Sequence, residues 1–433
     1  MAEEWKRTSE ELLAFIGESP SPWHAVESCR SRLEASGFRE LNERDSWQVA
    51  PGGSYYIVRD GSSIIAFKVG DRPEAGWRII GAHTDSPGLR LKPNAAQRRA
   101  DTLCLGVEIY GGPIIASFAD RDLRLAGRVW VENQGALTPR LLDTERPWAR
   151  LPTPAIHLNR EVNEQGLRFD PQEELYLVVR PLRDDEDPDA VFRGMLAAEL
   201  DVSPEAIRSW ELGVADSQPG SFFGDRDAYL ASSQLDNLAS CHAGLTALLE
   251  AEEVEGIAVC AFFDHEEIGS QSYKGADGRF LPDTLERVAA ALDLQHEEAR
   301  MRARGWLLSA DMSHAYHPNF MRYYDEAHAV RLNGGPVIKI NVKQRYATDG
   351  YGEAYFCALC RAEGVPYQVY SHRNNLPCGS TIGPISASRL GIRTVDIGNP
   401  MWSMHSLRES AGAKDHEMMI RVLRRFYSDR NNA

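Results

Sequence analysis

The sequence predicts an α/β protein in which one sheet, flanked by helices, is interrupted by a β-rich insertion. Three observations lead there. Seven apolar residues at 257–263, with aromatic and β-branched members and polar neighbours on both sides, read as a strand buried on both faces. Similar runs at 77–80, 306–310, 337–342 and 394–398 are separated by segments of helical character. From about residue 94 to 235 that pattern gives way to short alternating stretches and frequent turns.

Taken in order, Thr8 and Glu11 predict a capping box ahead of Leu12, Leu13 and Ile16. A second helix is expected from Ser21, with Pro22 in its first turn, to near Gly37. Strands follow between 54 and 69 and at 77–80, the last running straight into Gly81-Ala82-His83-Thr84-Asp85. In the insertion, Leu103, Leu105, Val107 and Ile109 alternate, as do Leu123, Leu125, Val129 and Val131 around an expected turn at Ala126-Gly127. Residues 174–179 add a strand, and 183–189 read as a solvated acidic loop. Beyond it, Leu238, Cys241, Leu245 and Leu248 step by three and four, which predicts an amphipathic helix starting just after Asp236. The expected organisation is a discontinuous domain of residues 1–93 and 236–433 around a separate module of 94–235.

The net charge of −15 argues against nucleic acid and anionic membrane as partners, and an acidic substrate would need a local cation. No run approaches the roughly 18 apolar residues of a membrane span. The N-terminus lacks the basic-then-apolar pattern of a signal peptide, so a cytoplasmic location is expected. The seven cysteines are odd in number and lie in apolar segments, as reduced thiols do. Cys357 and Cys360 form a CxxC with no second pair, which suits a helix face better than a zinc clamp.

Chemistry-bearing residues recur at the ends of the apolar strands: His83 and Asp85, then Glu266 and Glu267, then Asp311, with His405 further on. In an open α/β sheet such strand ends share one crevice, and Asp236 at a helix start can point into it. Adjacent carboxylates at the end of a buried strand call for a compensating cation. On an extended backbone their side chains diverge, so one glutamate suits metal and its neighbour suits a general base. Asp236, Glu267 and Asp311 offset three of the four positive charges of two divalent ions, and His83 and His405 complete the donor set. Imidazole with carboxylate favours zinc or another borderline ion over magnesium or calcium. Asp85 is placed to accept the other ring N–H of His83. Each residue alone also has a plain structural reading: a hydrogen-bonded histidine, a helix cap, a strand-end turn residue.

Gly81-Ala82-His83-Thr84-Asp85-Ser86-Pro87, Gln234-Leu235-Asp236-Asn237, Asp264-His265-Glu266-Glu267-Ile268-Gly269-Ser270, Asp311-Met312-Ser313-His314-Ala315 and Met404-His405-Ser406 resemble motifs of the aspartyl aminopeptidases, and the similarity spans nearly the whole chain. The resemblance implies a mixed central sheet of zinc exopeptidase type and an inserted dimerisation domain. It implies two zinc ions per subunit, with cobalt or manganese as substitutes. Asp236 would bridge them, His83 and Glu267 would bind one, Asp311 and His405 the other, and Glu266 would act as general base. His314, Lys339 and Tyr346 match substrate-contacting positions, and His157 matches a histidine that serves a partner subunit's site. Without the resemblance, Lys339 reads as a strand-edge charge, Tyr346 and His157 as packing, and His314 as a helix cap. Peptide substrates with acidic N-terminal residues and a dodecameric assembly are further implications. Trp23 stands where the family carries a smaller aromatic, and the sequence sets it far from the metal residues. Rival readings are a neutral-residue aminopeptidase, a carboxypeptidase or deacylase on the same metal site, and a non-catalytic assembly protein.

Overall fold

The computed structural model describes residues 4–430. The chain divides into two compact units: one comprises the chain up to Asp85, Gly220–Met404 and the chain from Glu409, the other Ser86–Pro219 and His405–Arg408. Strand pairing sets these borders, where the sequence pattern suggested 94 and 236. Gly88–Arg99 pairs with Thr102–Tyr110 in the second unit, whereas Tyr229–Ser232 pairs with Glu409–Gly412 in the first. No helix among the described residues is long and apolar enough to cross a membrane.

The first unit is built on a nine-stranded mixed sheet. At its centre Ile257–Phe263, Trp77–His83, Trp306–Ala310 and Arg393–Gly398 run parallel. The register sets Phe263 opposite His83, and Leu308 opposite both Ile80 and Val395. Antiparallel neighbours lie on both sides: Ser63–Val69 against Ile257–Phe263, and Val337–Ile340 against Arg393–Gly398. The central strands are buried along almost their whole length because both faces are covered. Ile80, Ala82, Cys260, Phe262 and Leu308 pack into one core, and Ile79, Val259, Ala261, Phe263 and Leu307 into the other. A smaller five-stranded sheet of the same unit includes Glu409–Gly412, Pro400–Trp402 and Ser313–His314.

Two local expectations change. The first helix spans Glu4–Gly17, so Thr8 lies inside it and donates through Oγ1 to Glu4 O at 3.0 Å instead of capping it. The upstream Glu4, Trp5, Lys6 and Arg7 extend the helix, and the threonine hydroxyl is satisfied by the preceding turn. The second helix, Pro22–Ala35, has the expected Ser21 cap. The helix after Gln234 spans Leu235–Glu250, but Asp236 and Asn237 keep non-helical angles, so its regular part begins where the apolar stripe does. Cys357 and Cys360 both lie buried on the helix Gly350–Ala362.

The second unit is a six-stranded antiparallel sheet over its own core. Leu123–Asn133 is one continuous strand through Ala126 and Gly127, not a turn at that dipeptide. Gly127 pairs with Leu212 on one side and Leu142 on the other. With φ at +152° and a Cβ that would fall 2.0 Å from Glu211 O, the position takes only glycine, which is what made it resemble a turn. The acidic stretch expected as a loop leads into a helix, Pro188–Leu200, capped by Asp187, whose Phe192, Leu196 and Leu200 pack into the core.

Candidate metal centre

The parallel register brings the carboxyl ends of three strands to one edge. His83 closes Trp77–His83, Asp264 follows Phe263, and Asp311 follows Ala310, so groups more than two hundred residues apart meet there. His83 Nε2 lies 3.5 Å from Asp236 Oδ1, 3.7 Å from Asp311 Oδ1 and 3.9 Å from Glu266 Oε2. One ligand atom each from His83, Asp236 and Glu267 fall within 4.8 Å of one another. His83, Asp236 and Asp85 are buried, and Glu266, Glu267 and Asp311 are half-buried. His405 belongs to the second unit, where its Nδ1 lies 3.1 Å from Gly112 O.

Local backbone explains the aim of each group. Glu266 and Glu267 are not on extended chain: His265 takes φ +67° and the two glutamates begin a 3-10 turn, Glu266–Ile268. Both their amides donate to the Asp85 carboxylate, Glu266 N–H to Oδ1 and Glu267 N–H to Oδ2, each at 3.1 Å. Asp85 therefore does more than face His83. The His83 Nδ1 is 3.0 Å from the Asp85 backbone carbonyl and 3.4 Å from its carboxylate. Asp236 is held through its N–H, which donates to the buried Glu409 carboxylate at 3.0 Å, and Asn237 Nδ2 donates to Ala310 O at the end of a central strand. Gly398 leaves room for Asp311, since a Cβ there would sit 1.9 Å from Asp311 O.

Of the expected substrate residues, three share this unit. Lys339 is not an edge charge. It is 2% exposed on an interior strand, donates to Met312 O at 3.2 Å and lies 3.3 Å from Asp311 Oδ2. Its ammonium stands 5.2 Å from the centre of the Tyr346 ring. Tyr346 is buried, and burial pushes its phenol upward, so it stays protonated. His314 caps no helix; it sits on the short strand Ser313–His314, and burial, with the nearby Lys339 and His372, pushes it down to about 4. It is therefore a neutral hydrogen-bonding group at physiological pH. His157 is exposed in the second unit.

Asp396 escaped the sequence reading because one aspartate inside a strand carries no motif. Its carboxylate accepts from Thr381 Oγ1 and from Ala347 N–H, both at 2.5 Å, fixing the chain beside Tyr346. Gly383 admits it: a Cβ there would be 2.3 Å from Asp396 Oδ2.

Electrostatics test whether the donor set suits a metal. Five carboxylates, from Asp85, Asp236, Glu266, Glu267 and Asp311, gather around His83, with Lys339 as the neighbouring ammonium. Burial pushes Glu266 up to about 8, and although His83 opposes this, Asp311, Asp85 and Asp236 add to it. Burial disfavours charge on His83 too, yet Asp236, Asp311 and Asp85 together raise it well above the ordinary histidine range. A carboxyl that takes up a proton for want of positive charge, as Glu266 does, is what a divalent cation would relieve, and the mixed imidazole–carboxylate set fits zinc.

Relatives point the same way. A family model described as aminopeptidase I zinc metalloprotease (M18) matches residues 15–427. The chain belongs to the M18 family of zinc metalloproteases. It is 47% identical to a probable M18 family aminopeptidase 2 of Ectopseudomonas mendocina over 424 residues, which cover 96% of this chain and 97% of the relative. It is similar to a solved structure of the Ape4 and Nbr1 complex, with a TM-score of 0.95 and 36% identity over 99% of this chain and 86% of that one. It is also similar to the S. cerevisiae mApe1 dodecamer structure, with a TM-score of 0.84 and 28% identity over 98% and 97%. As an M18 member the chain is a metal-dependent aminopeptidase, and zinc is the family's metal. In this M18 chain, Asp236→Ala is expected to weaken zinc affinity at least about tenfold in chelator competition. Unchanged affinity would remove Asp236 from the donor set.

Proposed function

We propose that this chain is a two-zinc aminopeptidase that releases single N-terminal residues from peptides and prefers acidic ones. The observation that carries the reading is the cluster of His83, Asp236, Glu267 and Asp311, with Glu266 alongside. Bound zinc would supply a Lewis acid that polarises the scissile carbonyl and a water nucleophile at neutral pH. His83, Asp236, Glu267 and Asp311 are proposed to hold it, with Asp236 shared. Glu266 takes the proton from the attacking water and returns it to the leaving amine. Asp85 fixes both glutamates through their amides and the imidazole through its ring N–H. A purely structural site has no use for the extra carboxylate of Glu266, which tells against a non-catalytic role.

Acidic preference is supported by Lys339, a buried ammonium beside Asp311 in a chain of net charge −15. Such a cation gives an acidic side chain a partner that the surrounding field withholds. Tyr346 and His314 supply hydrogen bonds in the same region. A dodecamer is proposed by analogy with yeast mApe1, built through the second unit, with exposed His157 serving a neighbouring subunit. The free cysteines support a reducing compartment, the cytoplasm.

On a panel of peptides, release of the first residue is expected only from free amino termini and fastest for Asp and Glu. Equal hydrolysis of blocked peptides would defeat the aminopeptidase mechanism. Glu266→Gln is expected to keep its zinc and lose about 10²–10⁴-fold in kcat. Near-normal turnover would exclude it as the base. Lys339→Met is expected to cut the kcat/KM ratio for acidic over neutral N-terminal residues at least about tenfold. An unchanged ratio would take the specificity away from Lys339.

A further inference from the structure

The turn that carries Glu266 and Glu267 is suspended between two buried carboxylates. On one side Asp85 accepts both glutamate amides. On the other stands Asp264, fully buried at the end of the strand, whose Oδ1 accepts the His265 N–H at 2.8 Å. A carboxylate in that position needs a counter-charge, and it has one from further along the same loop. Lys274 is 4% exposed, its Nζ lies 2.9 Å from Asp264 Oδ2, and it donates to Asp60 Oδ2 at 2.9 Å. Its backbone also reaches Asp264: Ser63 Oγ donates to Lys274 O and accepts the Asp264 N–H, both at 2.9 Å. Trp23 covers the ammonium, its ring centre 5.4 Å away. Trp23 is thus linked through Lys274 and Asp264 to the turn.

Between the two anchors the turn is closely laced. His265 Nδ1 lies 2.9 Å from Ser272 Oγ, Ser270 N–H donates to His265 O at 2.7 Å, and Gly275 N–H donates to Ser272 Oγ at 3.0 Å. Gly275 approaches so closely that a Cβ would meet Ser270 O at 2.2 Å.

We infer that Lys274 is a positioning residue of the metal centre, acting through Asp264 to hold the turn on which Glu266 and Glu267 ride. The inference rests on the proposed roles of those two glutamates. An ammonium shared by two carboxylates is directional and stiff, and its loss strips Asp264 of that counter-charge, leaving His265 Nε2 3.7 Å from Oδ2. Without that tether to Asp264 the turn is free to shift, and both glutamates shift with it. A displacement of about 1 Å at reacting groups is enough to cost about 10²-fold in rate.

The test is Lys274→Met in the full chain, read by zinc affinity in chelator competition and by kcat and KM of the zinc-saturated enzyme. Both zinc affinity and kcat are expected to fall at least about tenfold, with KM within about twofold. Retention of either wild-type zinc affinity or wild-type kcat overturns the inference, whatever happens to the unfolding midpoint. If the single variant does not fold, Lys274→Met combined with Asp264→Asn removes the stranded charge and keeps an acceptor for His265 N–H. The same two losses are expected there, and their absence is equally fatal. Failure of the underlying reading is separate, because Glu266→Gln tests the base with Lys274 in place.

Discussion

Crowded negative charge at the end of a parallel sheet is the constraint to which the rest of the first unit answers. Asp85, Asp236, Glu266, Glu267 and Asp311 would not remain together in a protein interior without something to hold them. The protein ties down three of them by separate devices. Asp85 is occupied by two backbone amides, Asp236 is fixed through its amide on Glu409, and Asp311 faces Lys339. What remains is an excess of acceptors pointing at one place, and a cation is the remaining means of neutralising it.

The same economy of charge runs outward. Buried cations are rare, and Lys339 and Lys274 each sit against a carboxylate of the centre or of the turn that feeds it. Of the carboxylates behind them, Asp264 and Asp396 accept from backbone amides, and Asp60 accepts from the Lys274 ammonium. Glycines at 383 and 398 permit these approaches, since a side chain at either would strike Asp396 or Asp311. A precise centre is thus made from ordinary strands whose terminal residues are tied down by buried, charge-assisted hydrogen bonds.

Much of the architecture was legible because its signals are local. Ile257–Phe263 reads as a two-sided buried strand from composition alone, and Leu238, Cys241, Leu245 and Leu248 mark a helix by spacing. Where a residue type has two uses, the pattern misleads. Gly127 looks like a turn and is a strand position with no room for a Cβ, and Thr8 looks like a cap and is a mid-helix residue bonded to the preceding turn. Glu266 and Glu267 were expected on extended chain and instead begin a 3-10 turn.

The sequence by itself determined the fold class, the strands whose ends carry chemistry and the donor types that suit zinc, because burial and ligand chemistry are written residue by residue. Tertiary structure alone decided that Lys339 is interior rather than at an edge, that Asp396 and Lys274 brace the site and that Trp23 covers one of them. Those facts depend on which side chains meet across hundreds of residues, and a lone buried charge acquires its meaning from the partner that folding brings to it.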